Sequence, residues 1–183
     1  MNKIKTLKAA LMAASLLTLP MAYAETMAKA DYTAGKSRIS ADYKTDKAAC
    51  ASQAGNAKDI GVQEAKAKEK VALAELEYGY TGKAADRNKV LVAKAESAYA
   101  VAKERCDDQS GNAKDVCVKE AKAVRVKALA DAKLGKQIRE AKTDAAADKL
   151  DADYKVAIEK CNALAGDVKS TCVSSAKTTY GKT

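Results

Sequence analysis

Five cysteines are the residues of this sequence with the most distinctive chemistry. Four of them form two pairs with the same Cys-x₁₀-Cys spacing, Cys106 with Cys117 and Cys161 with Cys172. On one continuous helix the members of a pair would lie about 16 Å apart, whereas a disulfide needs Cα atoms within about 7 Å. If the chain turns back between them, the two thiols face each other. The turn is the favoured interpretation, and it predicts these two disulfides.

The other polar residues offer little catalytic chemistry. Histidine, the usual general base and the commonest metal ligand, is absent. The cysteine spacing matches neither a C-x-x-C redox motif nor the short-spaced pairs of zinc sites. Two adjacent carboxylates, Asp107 and Asp108, fall at a predicted turn beside lysines, where a solvated turn is a simpler interpretation than an acid–base pair. We therefore predict a non-enzymatic protein with no catalytic residues, no cofactor and no metal site.

Cys50 is the odd cysteine of the five. The position eleven residues further on, which should hold its partner, is Gly61. A leftover cysteine in an exported protein suggests an interchain bond or a free thiol. We expect Cys50 to be partly reachable beside its turn, which would allow a Cys50-linked homodimer or a mixed disulfide with a partner. The alternative is the remnant of a lost disulfide, in which Cys50 is buried as a small apolar residue.

The first 24 residues have the three parts of a secretory signal peptide. A lysine-rich start precedes an apolar run over residues 9–19, and Ala22-Tyr23-Ala24 forms a small-x-small cleavage site. The apolar run is shorter than the roughly 20 residues that span a bilayer. We predict cleavage after Ala24, no transmembrane segment in the mature chain, and a periplasmic location, where disulfides persist.

The composition predicts an all-α fold. Phe and Trp are absent, and the one proline, Pro20, lies in the predicted signal peptide. The rest of the chain therefore has no proline to interrupt a helix. Alanine, lysine and glutamate are frequent, and all three are strong helix formers. Because an alanine methyl buries little surface, the core would be thin. The alternative is a chain that is only partly helical on its own.

One motif recurs three times along the chain. It reads CASQAGNAKDIGVQEAKA in residues 50–67, CDDQSGNAKDVCVKEAKA in residues 106–123 and CNALAGDVKSTCVSSAK in residues 161–177. In each copy a tyrosine lies seven residues before the first cysteine and a glycine five residues after it. These residues are Tyr43, Tyr99, Tyr154, Gly55, Gly111 and Gly166. Such repeats usually represent a supersecondary unit stacked on its copies. The tyrosines share a helical stripe with the cysteines, so we interpret them as packing anchors.

Each copy is typical of an αα-hairpin. Gly111 suits the left-handed conformation that ends a helix, and Asn112 directly after it is a good N-cap for the next helix. A helix stop followed at once by a helix start indicates a tight connection. We predict about six helices as three antiparallel hairpin repeats, each of the last two closed by a disulfide.

The predicted domain organisation follows from these units. The helical repeat domain covers residues 37–181, and residues 25–36 form a flexible lead-in. The units lie around residues 37–78, 85–134 and 136–181. A loop is expected at Tyr78-Gly79-Tyr80-Thr81-Gly82. Leu134-Gly135 is either a weaker break or a kink in a longer helix. The pattern fits a compact bundle of coiled-coil type or an elongated row, and it does not choose between them.

The phrases GNAKDVCVKEAKA and AYAVAKERCDD, with the Ala/Lys-rich signal peptide, resemble a family of proteobacterial periplasmic proteins often labelled TolA-like. The resemblance covers most of the chain after the signal peptide and implies a helical protein of the cell envelope. The likeness to TolA itself is compositional, and the membrane anchor and globular C-terminal domain of TolA are not visible here. The repeats also resemble late embryogenesis abundant proteins, which are polar, stress-protective helices.

The charge pattern bears on the partners of this protein. The formal net charge is +9, and basic helices can bind anionic polymers. Acidic residues alternate with the lysines, and tyrosine is the only aromatic residue, so nucleic-acid binding is not expected.

We predict a non-enzymatic periplasmic repeat protein with a structural, envelope-associated or stress-protective binding role, and with envelope proteins or anionic envelope polymers as partners. The alternative is a thiol-linked redox or metal-responsive factor that uses Cys50.

Overall fold

The computed structural model describes residues 27–182, which form five α-helices and no β-strand. The helices are α1 (Lys29–Ala49), α2 (Gly55–Thr81), α3 (Ala84–Arg105), α4 (Gly111–Asn162) and α5 (Gly166–Thr179). The predicted all-α class is confirmed. The predicted signal peptide, residues 1–24, lies outside the described residues, and its cleavage stays a prediction.

Helix α4 makes the number of helices five rather than the predicted six. It is continuous for 52 residues and passes through Leu134 and Gly135, so of the two alternatives for that position, a break or a longer helix, the longer helix is present. One glycine inside a helix costs only about 1 kcal/mol relative to alanine, and helix-forming residues on both sides offset that amount. Therefore α4 supplies the second arm of one hairpin and the first arm of the next, and no break separates the predicted units 85–134 and 136–181.

The predicted lead-in is helical from Lys29 onward, so residues 29–36 are not a flexible segment. Tyr32 fixes this part of α1 against α2. Its ring stacks on Tyr80 with 4.4 Å between the ring centroids, and its hydroxyl donates a hydrogen bond to Glu77. That hydrogen bond raises the pKa of Tyr32 above its ordinary value. The sequence pattern alone did not indicate these contacts, because they join residues 45 or more positions apart.

The predicted loop after Tyr78 is also largely helical. Helix α2 continues to Thr81, and Gly82 then adopts a left-handed conformation with φ of +62°. The backbone N–H of Gly82 donates to the carbonyl oxygen of Tyr78 at 2.8 Å, which closes the helix end. A glycine is needed there because other residues rarely adopt positive φ.

The helices form an open antiparallel row. The contacts run from α1 to α2, from α2 to α3, from α3 to α4 and from α4 to α5, so each described helix packs on its neighbours along the chain. Short connections favour this antiparallel arrangement of consecutive helices. Of the two architectures that the sequence left open, the structure adopts the elongated row.

The core of this row is thin. Five of the nine buried apolar residues are alanines and three are cysteines. Cys106 and Cys161 are the largest fully buried side chains. The nine residues are Cys50, Ala65, Val90, Ala93, Ala95, Cys106, Ala132, Cys161 and Ala176. Because alanine contributes little burial energy, the two disulfides supply stability that this core provides only weakly.

Candidate functional site

The three cysteine turns share one backbone path. In each turn, the backbone N–H three residues after the first cysteine donates to the carbonyl oxygen of that cysteine at 3.0 or 3.1 Å. The motif glycines Gly55, Gly111 and Gly166 then have φ of 56°, 55° and 57°. They open the following helix rather than ending the preceding one, so Asn112 lies inside α4 and is not an N-cap. The predicted tight turn is present, but its glycine begins the helix after the turn and does not end the helix before it.

Two of these turns are closed by disulfides. Cys106 is bonded to Cys117 with a Cα–Cα distance of 5.7 Å, and Cys161 to Cys172 with 5.6 Å. Both distances are usual for a disulfide. These are the pairs that the symmetry about the turn predicts. Cys106 directly follows α3 and Cys161 lies in the last turn of α4, and the partner of each lies in the second turn of the next helix. Each bridge therefore joins the two arms of its hairpin close to the turn.

Cys50 is unpaired within the chain and is buried, with only 7% of its surface exposed. The expectation that it is partly reachable is therefore wrong for the folded chain. Its thiol donates a hydrogen bond to the carbonyl oxygen of Asp46 at 3.2 Å. An interchain bond through Cys50 would require the α1–α2 turn to open first.

Gly61 explains the burial of this thiol. A Cβ atom built at Gly61 would lie 2.7 Å from the Cys50 sulfur and 3.5 Å from the Cys50 Cβ. The same position would be 3.0 Å from the side-chain oxygen of Gln53. Since Gly61 has no side chain, the sulfur and the Gln53 amide occupy its space. Gly61 thus takes the position that Cys117 and Cys172 hold in the other two turns.

The first and second turns are joined to each other by polar contacts. The side-chain amide of Asn56 donates to the carbonyl oxygen of Glu104 at 3.2 Å and to Asp108 at 2.7 Å. The adjacent Asp107 forms an ion pair with Lys114 at 2.9 Å. The two carboxylates that the sequence singled out therefore serve separate structural contacts and do not form a pair.

Two of the motif tyrosines lie at contacts with a neighbouring part of the chain, one beside a cation and one beside another tyrosine. The Arg125 guanidinium lies 5.1 Å from the Tyr99 ring centroid and donates two hydrogen bonds of 2.8 Å to Glu96, which joins α4 to α3. These bonds lower the pKa of Glu96. Tyr154 meets Tyr180, which directly follows α5, edge to face with 6.2 Å between the ring centroids. Both arrangements agree with a packing role for the tyrosines.

An open groove of 510 Å³ runs between α2 and α3. Its floor is apolar and its rim is charged. The floor residues are Ala67, Val71, Ala98, Val101 and Ala102, and the rim residues are Glu64, Lys68, Lys94 and Arg105. The sequence pattern did not predict this groove, because it depends on how two helices of the row meet. Its only sequence signal is a second, weaker set of apolar residues on each helix.

Ser97 lines the same groove from α3. It is only 6% exposed, and its hydroxyl has no hydrogen-bond partner among the described residues. A buried hydroxyl without a partner is unfavourable by about 1–3 kcal/mol. The rim cations, in contrast, do have partners. Lys68 pairs with Asp46 at 2.8 Å, and Lys94 pairs with Glu75 at 2.7 Å. Arg105 pairs with Glu64 in the same way.

Residues 27–182 contain neither a cluster of metal ligands nor a membrane-spanning helix. This part of the chain brings no three cysteine or acidic side chains together as metal ligands. It also contains no helix with the length and apolar character needed to cross a membrane. Comparisons of the chain with protein-family models, with curated proteins and with solved structures give no match.

Proposed function

We propose that this protein is a non-enzymatic periplasmic protein that binds other envelope proteins through exposed helix faces, in a structural or stress-protective role. The observation that carries the proposal is the α2–α3 groove. Its apolar floor remains open because, within residues 27–182, the helices form a single row with no second layer over them.

A protein segment suits this groove better than an anionic polymer. An anionic polymer would need free cations, whereas Lys68, Lys94 and Arg105 are each already paired with a carboxylate of the same chain. An apolar protein segment would cover Val71 and Val101 on the floor of the groove. Apolar burial would then supply most of the binding energy.

Photo-crosslinking in intact cells tests this proposal. A photoreactive amino acid at Val71 or Val101 should give adducts with other proteins, which mass spectrometry then identifies. Leu73 provides the matched control, because it is exposed on the same helix but points away from the groove. The proposal fails if the groove positions give no adduct, or if they give the same adducts as position 73. Adducts with polymer alone would favour the anionic-polymer alternative.

The alternative function, a thiol-linked or metal-responsive role for Cys50, has less support. The thiol is buried beneath α2, and the nearest polar partner is the Asp46 backbone. Thiol labelling of the native protein distinguishes the two functions. A redox factor should react through Cys50 at the rate of an exposed thiol, whereas the binding protein should react only after unfolding.

A further inference from the structure

Helix α4 is the outer helix of the row over most of its length. It contacts α3 through residues such as Cys117, Arg125 and Ala132, and it contacts α5 through Tyr154 and Cys161. At 3.6 residues per turn these five positions fall within an arc of about 100°. Both neighbours therefore lie on one side of α4. The opposite side has no partner among the described residues from one end of the helix to the other.

That free edge carries four large apolar residues in a symmetric pattern. Val116, Leu134, Ile138 and Val156 are each between 45 and 55% exposed. Val116 and Leu134 are eighteen residues apart, as are Ile138 and Val156, and eighteen residues make about five full turns. All four residues thus lie within an arc of about 40°, whose centre is about 130° around the helix from the centre of the side that faces α3 and α5. The positions of these four residues are symmetric about residue 136.

We propose that a second copy of this chain packs antiparallel along the free edge of α4, with a two-fold axis between Leu134 and Ile138. A two-fold axis makes each residue meet the residue at the mirrored position of the other copy. Leu134 then meets Ile138 of the second copy, and Val116 meets Val156. The contact continues the row, because α4 already packs antiparallel to α3 on its other side.

The charges along the edge agree with the antiparallel direction. Glu120, Lys127 and Asp131 lie near the edge before the axis, and Lys142, Asp148 and Lys149 lie near it afterwards. The mirrored register places Glu120 near Lys149 of the second copy, Lys127 near Asp148, and Asp131 near Lys142. Each meeting joins opposite charges, whereas a parallel pair would place every residue beside its like-charged copy.

None of these six charged residues has an ion-pair partner within residues 27–182, although nine ion pairs form elsewhere in that range. They are therefore available to a second chain. The edge includes neither the α2–α3 groove nor Cys50, so self-association and the proposed binding function can hold or fail independently.

Sedimentation equilibrium of the purified full chain with both disulfides intact tests the dimer. All proteins carry Cys50→Ser, so that no interchain disulfide contributes. The parent protein should have twice the monomer mass. Leu134→Glu combined with Ile138→Glu should give the monomer mass with unchanged circular dichroism, because charges would face each other across the axis. Val126→Glu is the matched control, since Val126 is exposed on α4 away from the edge, and it should remain dimeric.

A charge exchange tests the direction of the two helices. Asp131→Lys should weaken the dimer about tenfold, because two like-charge pairs replace two opposite-charge pairs. Adding Lys142→Asp should restore the parent dissociation constant. A monomeric parent protein would overturn the proposal, and so would a dimer that survives the double glutamate variant. If Lys142→Asp did not restore the dissociation constant that Asp131→Lys had raised, the antiparallel register would be wrong.

Discussion

At the scale of single residues, Gly61 decides the state of the free thiol. A Cβ at this position would lie 3.5 Å from the Cβ of Cys50, and Cβ atoms joined by a disulfide are about 3.5–4.5 Å apart. We therefore predict that Gly61→Cys forms a third disulfide with Cys50. Closing a loop of this length should stabilise the chain by about 3 kcal/mol in the chain-entropy model. Peptide mapping and the melting temperature without reductant measure the two effects.

Gly61→Ala is the matched control for that substitution. It places the same Cβ 2.7 Å from the Cys50 sulfur but cannot form the bond, so it should lower the melting temperature. If Gly61→Cys left two free thiols in the folded protein, the correspondence between the three turns would be wrong.

Asp86 gives the molecule a pH-dependent contact at the start of α3. Its carboxylate is 5% exposed, pairs with Lys89 at 2.7 Å and accepts a hydrogen bond from Thr81 at 2.6 Å. The Lys89 ammonium first, and then the Thr81 hydroxyl, lower the pKa of Asp86 below its ordinary value. A group of this kind stabilises the fold fully above its unfolded pKa of about 3.9, and it loses that contribution as the pH falls through its lower folded pKa.

We predict that Asp86→Asn lowers the melting temperature at pH 7. The difference from the parent should shrink below about pH 4, because the parent then loses the same contribution. Melting curves between pH 7 and pH 2 measure this. Asp153→Asn, at an exposed residue without an ion pair, should change little at any pH. A difference for Asp86→Asn that stayed constant with pH would rule out the carboxylate as its cause.

At the scale of the helices, two glycines should respond to alanine in opposite directions. Gly135 lies inside α4, where the nearest group to an added Cβ is the Arg139 guanidinium at 3.5 Å. Gly135→Ala should stabilise the protein by about 0.5–1 kcal/mol. Gly111 has φ of +55° with open space around it, so Gly111→Ala should destabilise by about 1–2 kcal/mol through the backbone alone. Urea denaturation measures both, and a destabilising Gly135→Ala would indicate a bent α4.

Helix α5 should depend on its disulfide more than the other helices do. It has 14 residues, packs on α4 alone, and buries only Ala176. Isolated helices of this length are marginal in water. We predict that replacing Cys161 and Cys172 by alanine removes hydrogen-exchange protection from residues 166–180 and leaves α3 protected. Cys50→Ala is the control and should leave α5 protected. Equal protection of α5 in both variants would contradict this dependence.

The sequence predicted those features that depend on local chain symmetry. The two disulfides followed from cysteines placed equally on both sides of a turn, and the helices followed from composition. The sequence could not decide between a break and a longer helix at Gly135, because a penalty of about 1 kcal/mol is too small to identify a break. The burial of Cys50 and the α2–α3 groove depend on how closely α2 approaches its neighbours. The spacing of apolar residues within one helix does not indicate how close that helix lies to its neighbours.

At the scale of the whole molecule, the row behaves as a chain of neighbouring contacts. Helices that follow each other in sequence supply the helix–helix interfaces, so stability should be close to a sum of local terms. An alanine-lined interface contributes little, and the disulfides compensate at two turns. Within residues 27–182, no further helix packs over this single layer.

Because α1 and α2 contact each other directly, their hairpin can close as the chain emerges N-terminus first, before Cys106 has appeared. Closure buries the thiol of Cys50, the one cysteine that lacks a partner. We therefore expect folding from the N-terminus to keep Cys50 out of disulfide formation while the other four cysteines oxidise. We predict that a fully unfolded, reduced chain loses this order and refolds in part to scrambled species linked through Cys50, whereas Cys50→Ser refolds to the native pairs. Mass analysis of trapped species measures this, and equal yields of native pairs would show that the order of emergence is irrelevant.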